Sequence, residues 1–196
     1  MKKNVSILLI VLLILVIFTL VLFAEEAKYD FRKTNWGMSK EQVKATEDKK
    51  PDFENNIMLG YEVTINQNNF LCAYWFLEDK LYQSGYSLNE THTNKNDYID
   101  DYKNFKEILI KKYGKPKIDK VTWKNDLYKN DEQDWGLAVS IGHLIYGTWW
   151  ETSKTEPIGL VLKGEKYKIS LTIGYYSKEL KEWADKILEE KAKSNF

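Results

Sequence analysis

Few side chains in this sequence could do chemistry, and they are scattered. Two histidines, His92 and His143, and one cysteine, Cys72, are all it has of ready bases, thiolates and soft metal ligands. Nucleophilic catalysis needs a serine, cysteine or lysine beside a base. No Gly-x-Ser-x-Gly, Walker loop, His-Glu-x-x-His or paired-cysteine spacing occurs. A zinc site needs more donors than two separated histidines and one cysteine supply. His92 lies in Thr91-His92-Thr93-Asn94, on the approach to a helix, where it turns or caps the chain. His143 lies in the apolar run Ile141-Gly142-His143-Leu144-Ile145 and reads as a core or boundary histidine. Cys72 lies between Leu71 and Ala73 in another apolar run and reads as a small buried hydrophobe. The sequence calls for no cofactor and no metal.

Carboxylates offer little more. Asn125, Asp126, Asn130, Asp131, Glu132 and Asp134 form an acidic stretch without the spacing of a calcium loop, so it reads as a solvated turn. Asp100-Asp101 and Glu189-Glu190 read as solvated helix faces. The aromatics are the remaining chemistry, with 7 Trp and 13 Tyr among 196 residues. Trp149-Trp150 sends two indoles to opposite faces of one strand. Exposed there, Trp149 or Trp150, with Tyr146 and Tyr175 nearby, would anchor a protein partner or stack on a sugar ring. The competing reading has these rings fill the core, since strand alternation accounts for most of them.

Several elements must position these groups. Ser39, with Gln42 three residues on, forms a capping box that starts a short helix ending near Glu47. Three strands follow, at Leu59–Ile65, Phe70–Leu77 and Leu81–Leu88. A second helix runs to Tyr113 and stops at Gly114 and Pro116. Ile118–Lys124 reads as a short strand, and Trp135–His143 as a short helix with a strand as the alternative. The last third reads as three strands, Tyr146–Thr152, Pro157–Leu162 and Tyr167–Tyr176, with a hairpin at Lys163–Lys166. Ser177 caps a closing helix. The fold class is therefore α+β: antiparallel meanders with helices packed on one face, and a pseudo-repeat of helix plus three strands.

The N-terminus gives the address. Lys2 and Lys3 precede an apolar run from Val5 to Ala24, followed by Glu25-Glu26. As a helix it is long enough to span about 30 Å of hydrocarbon. Two readings stand, a transmembrane signal anchor and a signal peptide cleaved after Ala24. Either leaves residues 25–196 as a single exported domain, in contact with the membrane through residues 5–24 if the segment is retained. Basic and acidic residues both number 29. Without Lys2 and Lys3 the domain carries a net charge of about −2, which gives no electrostatic case for nucleic acid or anionic lipid.

The run Phe31-Arg32-Lys33-Thr34-Asn35-Trp36-Gly37-Met38-Ser39-Lys40-Glu41-Gln42-Val43 resembles the start of a family of uncharacterised exported bacterial proteins. So do His92-Thr93-Asn94-Lys95-Asn96-Asp97-Tyr98-Ile99, Lys112-Tyr113-Gly114-Lys115-Pro116, Trp123-Lys124-Asn125-Asp126-Leu127-Tyr128, and Gly142-His143-Leu144 followed by Trp150-Glu151-Thr152. The resemblance spans nearly the whole exported domain and implies no established activity. The architecture is loosely similar to outer-membrane assembly lipoproteins and β-lactamase-inhibitor-like modules, although the anchoring cysteine of the former is missing. The expectation is a non-enzymatic protein of the bacterial cell envelope that binds an envelope protein partner through its sheet face. The alternatives are a glycan- or cell-wall-binding domain and a hydrolase that pairs two carboxylates.

Overall fold

The computed structural model describes residues 29–193. The chain divides into two compact units, residues 1–35 and 36–196. The apolar segment Val5–Ala24 lies outside the described residues. Among the described residues no helix is long and apolar enough to cross a membrane. What is described of the first unit is one tight turn. In it, Thr34 donates both its N–H and its hydroxyl to the Phe31 carbonyl, at 2.9 and 2.6 Å.

The second unit opens on α1 (Lys40–Lys44). Ser39 Oγ accepts from the Gln42 N–H at 3.2 Å, and Gln42 Oε1 accepts from the Ser39 N–H at 2.9 Å. Four strands follow: β1 (Phe53–Glu54), β2 (Met58–Ile65), β3 (Asn68–Leu77) and β4 (Lys80–Leu88). The long helix α2 (Asp97–Tyr113) leads to β5 (Ile118–Trp123), a 3₁₀ turn at Glu132–Asp134 and α3 (Trp135–Ser140). Then come β6 (Leu144–Trp150), β7 (Thr155–Glu165), β8 (Lys168–Ser177) and α4 (Lys181–Lys193). Ser177 Oγ accepts from the Leu180 N–H at 3.1 Å, just ahead of that helix.

Two features differ from the sequence reading. A two-residue strand, β1, is too short to show alternation and escaped it. The last hairpin turns at Lys166–Tyr167, with φ of 51° and 67°, rather than at Lys163–Lys166. Asn66–Gln67 and Glu78–Asp79 turn in the same left-handed way, the geometry that matches strand twist. Gly164 attracted the turn assignment, yet it lies inside β7. A Cβ there would stand 2.4 Å from the Val139 carbonyl oxygen, so this glycine lets α3 approach the sheet.

The eight strands form one antiparallel sheet in the order β1-β2-β3-β4-β8-β7-β6-β5. The order is symmetric about the β4–β8 seam, with four strands on each side. Alternation gives the sheet two unlike faces. The first carries the large side chains: Tyr61, Phe70, Tyr74, Leu160, Leu162 and Leu171 are at most 1% exposed. Helix α2 lays Tyr98, Tyr102, Phe105 and Leu109 into this core, where Phe105 and Phe70 meet edge to face at 5.1 Å. Burying each such ring contributes roughly 1.5–3 kcal/mol.

A polar chain ties α2 to the far strands. Tyr102 Oη lies 2.5 Å from Thr148 Oγ1, which donates to Asp119 at 2.9 Å, and Lys106 pairs with Asp119 at 2.7 Å. The Thr148 proton is committed to Asp119, so Tyr102 is the donor in the first bond.

Candidate functional site

The second face of the sheet is built from the opposite choice of residues. One register row crosses it, each residue paired with the next: Phe53, Gly60, Ala73, Gly85, Gly174, Gly159, Trp149, Ile118. Five small residues in succession make this row a low strip: Gly60, Ala73, Gly85 and Gly159 are buried beneath neighbouring side chains and Gly174 is half-buried. The row's apolar ends are Phe53 and Ile118, 46% and 50% exposed.

Each glycine has a local reason. The Trp149 indole lies flat across the sheet. A Cβ on Gly147 would stand 2.1 Å from its ring, and one on Gly159 would stand 3.0 Å from its Nε1. Gly85 is where β4 meets β8 most closely, since a Cβ there would stand 2.6 Å from the Ile173 carbonyl oxygen. Gly174, its direct partner, has only an ordinary contact with Tyr176 at 3.5 Å.

The flanking rows are half-exposed. Met58, Trp75, Gln83 and Tyr176 run in register on one side; Leu71, Ser87, Thr172 and Val161 run on the other. Charge appears only at the ends of the latter row, with Glu62 beyond Leu71 and Lys120 beyond Gly147. Helix α4 lies at the Tyr82–Tyr176 end. Burial pushes the Tyr82 phenol up, with Tyr176 and Asp185 adding to the shift.

The four aromatic candidates separate cleanly. Trp149 lies on this half-exposed face. Trp150, Tyr146 and Tyr175 point to the other side, at 2%, 6% and 6% exposure, so the adjacent indoles part as alternation requires. Trp150 donates its ring N–H to the Gly114 carbonyl at 2.9 Å, closing the end of α2. Burial pushes the Tyr146 phenol up to about 12, and its hydroxyl has no partner. The Tyr175 phenol is raised further, by near-complete burial. These three rings pack on the core side of the sheet.

The histidines are likewise structural. His92 Nε2 lies 2.6 Å from Asp101 Oδ2 and its ring packs on Tyr98, which fixes the loop before α2. His143 packs near Tyr128, and its Nδ1 is buried without a hydrogen bond. Cys72 is fully buried. In the acidic stretch, Asn125 and Asp131 accept from backbone N–H groups two residues on.

One carboxylate pair does form. Glu151 and Glu156 lie side by side near the β6–β7 turn, held by Lys117 at 2.7 Å from Glu151 and Lys178 at 2.8 Å from Glu156. Glycoside hydrolysis needs one acid kept protonated by a raised pKa. Here the Lys178 ammonium, with Glu151, holds Glu156 below the usual carboxylate range, and both acids stand at the surface.

The sequence reading reached Trp149 but missed the row around it. A signal for that row existed, because Gly60, Gly85, Gly147, Gly159 and Gly174 all interrupt strand patterns, and a glycine inside a strand marks a close approach. No known protein family, curated protein or solved structure matches the chain.

Proposed function

We propose that this protein is a non-enzymatic module of the bacterial cell envelope, exported and either tethered or released, that binds an envelope protein through the second face of its sheet. The observation that carries the reading is the row Gly60-Ala73-Gly85-Gly174-Gly159 ending on the flat Trp149 indole. Core-building does not require it, since the core lies on the other face. The half-exposed Leu71, Trp75, Val161 and Tyr176 beside the row suit an apolar segment of the partner, and Trp149 supplies the anchoring ring. The residues able to act as bases, nucleophiles or acids are instead engaged in the fold or solvated.

Gly174→Leu tests the proposal. A Cβ at this position would meet only Tyr176, at an ordinary 3.5 Å, and strand alternation directs it away from the core. Full-length protein carrying Gly174→Leu should fold normally yet lose its partner in a co-purification from native envelope, as should Trp149→Ala. Undiminished co-purification with both variants rules the face out. Cell-wall fragments in place of a protein would move the reading to a glycan-binding domain, with Trp149 as the stacking ring.

A further inference from the structure

The sheet ends differently on its two sides. At one end β1 is two residues long; at the other β5 is six residues long and, among the described residues, pairs with β6 alone. Ile118 and Val121 are 50% and 52% exposed on it. A free edge of this length presents unpaired backbone groups that template another strand. We propose that a second copy of this chain occupies this edge, β5 pairing antiparallel with its counterpart about a two-fold axis at Val121.

The register fixes the geometry. The Lys124 N–H donates to the His143 carbonyl at 2.7 Å, at the end of a ladder running from Ile118↔Trp149 to Trp123↔Leu144. Alternation then turns the backbones of Ile118, Lys120 and Thr122 toward β6 and those of Asp119, Val121 and Trp123 outward. The outward set is symmetric about Val121. A two-fold axis normal to the sheet brings Val121 against Val121 of the second copy and Asp119 against Trp123. Each such pair exchanges two backbone hydrogen bonds, and the faces of the two sheets stay aligned.

The side chains agree with this pairing. Lys120 falls opposite Thr122, and no like charges stand directly opposite. Asp119 is already neutralised by Lys106 when it meets Trp123 of the second copy. Beyond the strand, Lys117 pairs with Glu151 at 2.7 Å and Asp126 with Lys129 at 3.2 Å within the same chain, so neither charge opposes the pairing. Antiparallel self-pairing therefore needs no other sequence: half-exposed Val121 meets Val121 of the second copy, and the outward residues of β5 complement themselves.

The test is register-specific. Directly opposed residues of a hydrogen-bonded pair lie about 5.5 Å apart at Cα, within disulfide reach. Full-length Val121→Cys, oxidised in intact cells, should run as a disulfide-linked dimer on a non-reducing gel. Tyr167→Cys, at the exposed tip of the β7–β8 hairpin, should give on the order of tenfold less. Native Cys72 stays silent because it is buried. Val121→Pro removes an outward N–H and leaves the β5–β6 ladder intact, so the dissociation constant should rise about tenfold through two lost hydrogen bonds. Val121→Cys dimers no more abundant than those of Tyr167→Cys overturn the proposal, as does a Val121→Cys crosslink to a different protein. Dimers that survive Val121→Pro undiminished also overturn it.

Discussion

The two faces of this sheet come from the same strands and obey opposite rules. On the first, successive rows carry Tyr61, Phe70, Tyr74 and Leu160, packed beneath α2 and α3. On the second, one residue along, the chain presents glycine or alanine at five adjacent strands. Burial drives the choice on the first face, where volume is stabilising. On the second, Gly85 and Gly159 answer to close contacts with the Ile173 carbonyl and the Trp149 ring, whereas Gly174 has room for a side chain and carries none. Gly174 is the position that packing does not explain, and this comparison underlies the proposed function.

The comparison can be broken at both faces. The largest effect belongs to Phe70→Ala, which empties the site facing Phe105; it should cost about 3–5 kcal/mol in denaturant unfolding. Next come the paired glycines at the β4–β8 seam. Gly85→Ala forces a Cβ against the Ile173 carbonyl and should cost about 1–3 kcal/mol. Gly174→Ala, directly opposite, should be neutral or stabilising by up to about 1 kcal/mol in the same assay. Equal costs at the two positions would mean that packing, not shape, chose both.

Gly147→Ala is subtler. It pushes the Trp149 ring off the sheet at about 0.5–1.5 kcal/mol. It should also shift tryptophan emission to the red, a shift that disappears in a Trp149→Phe background. The smallest effect under ordinary conditions is the pH response of the first face. Burial pushes the Tyr102 phenol up to about 12, against the opposing Thr148 hydrogen bond, and burial does the same to Tyr146. Both rings favour the neutral form when folded, so their contribution is fully present below pH 10. It is lost as pH rises from about 10 through 12. Thermal midpoints should be flat from pH 8 to 9.5 and fall above 10; Tyr146→Phe should reduce that fall.

Much of the first face was legible in the sequence because alternation reports it directly. Tyr61 and Val63, and Leu171 to Tyr175, show period two, Phe70 to Leu77 is an unbroken apolar run, and α2 shows Tyr98, Tyr102, Phe105 and Leu109 at helical spacing. The second face was poorly legible for the same reason. Its defining residues have no side chains, so they register as breaks in a pattern. Gly164 illustrates the ambiguity: a strand glycine admitting α3 looks the same, in sequence, as a turn glycine. Which indole of Trp149-Trp150 faces outward depends on parity, which was fixed only once β6 had paired with β7. The symmetric strand order about β4 and β8 depends on long-range pairing and leaves no residue-level repeat.

The most direct test of the second face as a protein-binding surface is site-specific photocrosslinking in living cells with the full-length chain. The crosslinking residue is placed singly at Ser87 and Thr172, which flank the glycine row, and at Lys103 on the outer side of α2. The account predicts one and the same protein adduct from Ser87 and Thr172 and none from Lys103. An adduct from Lys103 alone, or none from either sheet position, would contradict it.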